Sequence, residues 1–117
     1  MGQLALFSDT TVLDINRPDF AEGASLEERF EAFHRLNPHI YQELVGRGLA
    51  LREKGIRRFG IAALFEAMRY DVAVRTGGDT YKLNNNYKAF YARLIMSNVV
   101  ALKDFFETRE QAAVQGE

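Results

Sequence analysis

Apolar residues at Ile61, Leu64, Phe65, Met68 and Val72 recur at the spacing of one continuous helical face and fit no strand, so a helix begins after Gly60. Tyr87, Phe90, Tyr91, Leu94 and Ile95 trace a second, cleaner stripe. Its helix opens near Leu83 to Asn85 with an asparagine cap and runs to an interruption at Ser97-Asn98. Upstream, Leu26, Phe30 and Phe33 form the stripe of a helix through about Leu36. Ser25 and Glu28 start it as a capping box, each side chain satisfying the other residue's free backbone N–H. Asn37-Pro38 then reads as a cap with proline at the first helical position, where a missing N–H costs nothing. The helix it opens buries Ile40, Leu44 and Leu51 and stops at Gly55. Within it Gly46 and Gly48 each cost about 1 kcal/mol relative to alanine, unless another helix needs to come close there.

Between these segments, Thr76-Gly77-Gly78-Asp79 is a turn, since paired glycines supply positive φ at little cost. A short last helix carrying Val100, Leu102, Phe105 and Phe106 covers the core. The apolar clusters Leu4 to Phe7 and Val12 to Ile15 make an arm with a strand or two. No internal repeat is present. The fold class expected is therefore all-α: a compact bundle of four or five helices over 25–110, helix-turn-helix-like, with an N-terminal arm (1–24) and a polar tail (111–117).

Composition narrows the chemistry. At 117 residues and 47% apolar the chain makes one globular domain, and without cysteine it has no disulfide, thiolate nucleophile or cysteine-ligated metal. No apolar run approaches the roughly 20 residues of a membrane span, and the start lacks a basic leader, so a cytoplasmic protein without membrane partner is expected. The net charge of −1 hides a division: residues 47–93 hold ten basic side chains against four acidic, whereas residues 1–46 hold three against eight. Either the middle meets a polyanion or acidic partner, or the segments fold together and neutralise each other.

One face favours the first reading. Opposite the stripe of the helix over 84–96 a helical wheel shows Asn85, Ala89, Ala92 and Met96, flanked by Asn86, Lys88 and Arg93. A helix entering the DNA major groove needs small residues at its centre, amides for adenine edges and cations for phosphates. Asn85 or Asn86 supplies the amide. Arg57, Arg58, Lys82, Lys88 and Arg93 supply the cations. The connection from Arg75 to Leu83 is longer than a simple helix-turn-helix turn, so only a variant or winged arrangement fits. The alternative is that Ala89, Ala92 and Met96 pack against the arm or a partner.

Other chemistry is weak. His34 and His39 lack the i, i+4 geometry and the third ligand of a zinc site, and read as packing or hydrogen-bonding residues. Glu27, Glu28 and Glu31 read as a solvated face, and Gly77-Gly78-Asp79 lacks the lysine of a phosphate loop. Ser8, Ser25 and Ser97 sit in loops or caps. Neither a metal nor another cofactor is expected, and enzymatic activity has the least support.

Phe33-His34 with Asn37-Pro38 and Tyr41, Gly60-Ile61 through Leu64-Phe65-Glu66, and Lys82-Leu83-Asn84-Asn85-Asn86-Tyr87 with Phe90-Tyr91-Ala92-Arg93-Leu94 resemble a family of small proteins encoded by bacteriophages and prophage-like regions. The resemblance spans about 25–109 and implies a setting in the host-cell cytoplasm without implying a site. That setting favours two functions. The first is a non-enzymatic regulator reading double-stranded DNA with the helix over 84–96. The second is a protein-interaction module, such as an anti-defence inhibitor of a host protein or a homodimer, burying Ala89, Ala92 and Met96.

Overall fold

The computed structural model describes residues 14–76 and 83–108. Four α-helices carry it: α1 (Leu26–Leu36), α2 (Pro38–Glu53), α3 (Ile61–Thr76) and α4 (Lys88–Asn98). Two-residue strands, β1 (Phe59–Gly60) and β2 (Phe106–Glu107), pair in parallel, Phe59 with Phe106 and Gly60 with Glu107. The domain is thus mostly helical but not all-α.

Local signals set most boundaries. The Ser25 hydroxyl accepts the Glu28 N–H at 3.1 Å and Glu28 Oε1 accepts the Ser25 N–H at 2.9 Å, which completes the capping box of α1. Pro38 lies in the first turn of α2, and Gly55, at φ +95°, adopts the left-handed conformation that ends it. All five residues of the α3 stripe are buried. Before α4, Asn84 Oδ1 accepts the Asn86 N–H at 2.8 Å, and the first turn, Asn85–Tyr87, is a 3-10 helix.

Three expectations are corrected. Asn37 stands at the α1–α2 junction, but its side chain caps neither helix N-terminus. It is fully buried and binds the Asn16 backbone at both N–H (2.7 Å) and C=O (2.8 Å), with Phe33 C=O at 3.0 Å. Segment 14–24 is thereby tied to the helices without regular secondary structure; the strand expected at Leu4 to Phe7 lies outside the described residues, as do Val12 and Leu13 of the second cluster. The short last helix is cut to one 3-10 turn. Val100–Leu102 form a 3-10 turn, after which Asp104 takes φ 61° and the chain enters β2. Leu102, Phe105 and Phe106 are buried as expected, whereas Val100 is 90% exposed. Finally, what approaches Gly48 is this closing segment and not another helix. A Cβ there would meet Leu102 Cδ1 and Phe106 Cζ, each at 3.2 Å. The turn at Gly77 to Asp79 and the tail 111–117 lie outside the described residues.

The core is aromatic at the crossing of α1 and α4. Phe30 meets Tyr91 edge-on at 4.8 Å and stacks on Phe90 at 5.1 Å, while Phe33 touches Tyr87 at 5.2 Å. Ile40 and Leu44 of α2 and the inner row of α3 complete it. Helix α4 packs against α2, α3, β2 and both 3-10 turns, which makes it the central helix.

Candidate functional site

That central position decides the fate of the expected DNA-reading face. Ala92 is fully buried in the core, Met96 is half-buried against it, and Ala89 is half-buried, so these three form no open patch. Neighbours on several sides widen the buried arc of α4 beyond the Tyr91 and Ile95 stripe to include Ala92. The expectation of a groove-reading or partner-binding surface at Ala89, Ala92 and Met96 is therefore corrected.

The cations scatter. Arg93 is exposed, 5.1 Å over the Phe90 ring, and shares a shallow cavity with Glu27 and Glu31. Lys88 and Asn85 are half-buried, Asn86 and Arg57 exposed, and Lys82 lies outside the described residues. Arg58 Nε is 3.5 Å from Glu107 Oε2. Arg69 Nη1 lies 2.6 Å from Glu66 Oε2, and Arg47 reaches Glu43 at 2.9 Å and Asp71 at 2.8 Å. Two of these pairs, Arg47 with Glu43 and Arg58 with Glu107, join the basic middle segment to carboxylates outside it, in the sense of the second charge reading, whereas Asp71 and Glu66 belong to the middle segment itself. Burial pulls the Arg47 guanidinium down, but hydrogen bonds and charge from Glu43 and Asp71 outweigh it and hold its pKa above the ordinary value.

The two histidines lie in separate surroundings. His34 is packed among Phe30, Tyr41 and Tyr91, and desolvation lowers its pKa. His39 bonds the Asp14 carbonyl through Nε2. Among the described residues no three His, Asp or Glu side chains come together as a metal site, and no helix is long and apolar enough to cross a membrane. Burial, with the neighbouring Tyr87, pushes the Tyr91 phenol well up, so it keeps its proton. Its hydroxyl is buried without a hydrogen-bond partner among the described residues. Tyr91→Phe should therefore stabilise the fold by about 1 kcal/mol in urea unfolding, because it removes a desolvated group that gains nothing in exchange. A loss of similar size would show instead that the hydroxyl is satisfied.

The surface that stands out lies between α2 and α3. Arg47, Ala50, Leu51 and Lys54 of α2, Phe59 of β1, and Ala63, Leu64 and Ala67 of α3 line an open cavity of about 370 Å³ whose walls are almost wholly apolar. Beyond the cavity, the row of α3 that holds Ala63 and Ala67 carries Tyr70, 68% exposed, and Val74, 62% exposed. The sequence holds this signal in the second apolar row of α3, Ala63, Ala67, Tyr70 and Val74, opposite the row that builds the core. A helix apolar on both sides is ordinarily covered on both sides.

Comparison with known proteins returns no match: no family model, no curated protein and no solved structure is similar to this chain. The resemblance to phage-encoded proteins gains no support from them.

Proposed function

We propose that this protein is a non-enzymatic protein-interaction module whose docking surface is the outer row of α3 together with the apolar cavity between α2 and α3. The observation that carries the reading is that α3 has a second apolar row opposite the one that builds the core, yet Ala63, Ala67, Tyr70 and Val74 of that row are exposed. Water on those residues is the kind of cost that association removes, at about 25 cal/mol per Å² of apolar surface covered. Small side chains lining the cavity let a partner helix come close, and exposed aromatics such as Tyr70 are common anchors of interfaces. The expected partner surface at Ala89, Ala92 and Met96 is replaced by this one.

Duplex DNA reading by the helix over 84–96 is the weaker account. It needs an open alanine face with cations around it, and Ala92 is buried while Arg93 sits beside two glutamates. The two accounts separate on size and on salt. In extracts of cells that make it, the protein should elute larger than its 13.3 kDa, and Ala67→Glu should return it to that size. Random duplex DNA should not bind with steep salt dependence. Unchanged elution of Ala67→Glu, or duplex binding lost in Arg57→Ala and Arg58→Ala, would contradict the proposal.

A further inference from the structure

We infer that the partner on this surface is a second copy of the same chain, paired antiparallel along α3; the inference rests on the docking surface proposed above. Ala63, Ala67, Tyr70 and Val74 are spaced four, three and four apart, and at 100° per residue they fall within an arc of about 60°. That is the spacing of a coiled-coil seam over two heptads. It also reads the same from either end. A two-fold axis crossing α3 between Met68 and Arg69 places Ala63 opposite the second copy's Val74 and Ala67 opposite its Tyr70. Each small residue then faces a large one, the condition for close packing, and the contact is isologous and closes as a dimer.

The charges beside the row are already matched within one chain. Arg69 Nη1 lies 2.6 Å from Glu66 Oε2, and its Nε donates to the Leu83 carbonyl at 3.1 Å. On the other flank Asp71 is held by Arg47 at 2.8 Å, so neither flank brings an unmatched charge to the seam. An unrelated partner requires no such internal symmetry of size.

The symmetry supplies the test. Sedimentation equilibrium of the purified protein should show a monomer–dimer equilibrium with a dissociation constant on the order of 10 µM. Ala67→Tyr sets two tyrosines against each other and Tyr70→Ala leaves a gap, so each should weaken association about tenfold or more. Combining them exchanges large for small across the axis and should restore association to near the parent value. Both positions of change are exposed, and circular dichroism reports whether the fold is kept. A purified protein that stays monomeric at about 1 mM, or a double variant no better than either single one, overturns the inference. Should the pure protein be monomeric while the extract still shows a larger species lost in Ala67→Glu, the docking surface stands and only the second copy falls.

Discussion

Arg47→Met should lower the free energy of unfolding by about 3 kcal/mol, near the low end of what breaking a buried ion pair costs. The reason lies in what is left behind. The Glu43 side chain is only 2% exposed and Arg47 supplies its ion pair at 2.9 Å, while Oε1 of the same carboxylate is buried without a hydrogen-bond partner among the described residues. Without Arg47 an unpaired carboxylate sits against Ile40 and Leu44 of the same buried side of α2. Partial exposure of Arg47 (19%) and Asp71 (40%) keeps the cost away from the upper end. Replacing both partners, Arg47→Met with Glu43→Leu, should recover most of the loss, because a well-packed apolar pair carries no desolvation penalty. Urea unfolding of the parent, Arg47→Met and the double variant measures this. A single variant within about 0.5 kcal/mol of the parent would show that the pair contributes nothing.

The second large effect is expected at Asn37→Ala, at about 2 to 3 kcal/mol. Asn37 exchanges two hydrogen bonds with the Asn16 backbone and donates a third to Phe33 C=O from a fully buried position. Alanine strands the Asn16 N–H and C=O, while Phe33 C=O still accepts the backbone N–H of residue 37, as it does at 2.8 Å in the parent. The effect should also be local: amide exchange at Asn16 should accelerate with the loss of its acceptor, while the inner row of α3 follows global stability. Asn37→Asp keeps the acceptor for the Asn16 N–H but loses both donated bonds and adds charge, so it should fall no closer to the parent than alanine does. Unchanged exchange at Asn16 would mean that segment 14–24 is held by other contacts.

Local physics was readable wherever one residue type satisfies one backbone need. Ser25 with Glu28, Pro38, Gly55 and Asn84 place helix ends in the sequence, and the periodic rows of α1 and α3 identify buried faces correctly. Non-local packing was not readable. Asn37 looks like an ordinary cap until Asn16, 21 residues away, arrives to take its amide. Val100 to Phe106 has helical composition, but Asp104 breaks the helix and the backbone of Phe59 claims the Phe105 carbonyl at 2.9 Å. Helix α4 shows the same limit most clearly. A wheel assumes one buried side, and a helix with neighbours on several sides has a wider buried arc, so the wheel places Ala92 in solvent where the fold buries it. In α3 one apolar row suffices to build the core, so a wheel gives no role to the second row at Ala63, Ala67, Tyr70 and Val74.

The central claim is that the outer row of α3 is covered by protein in the functional state. Scanning a photo-activatable side chain one position at a time along 61–75 in cells tests it directly, with Gln42, exposed on the far side of α2, as the reference. Adduct yield should peak at 63, 67, 70 and 74 and fall between them, following the four-three-four spacing. A flat profile, or yields no higher than at Gln42, would contradict the account.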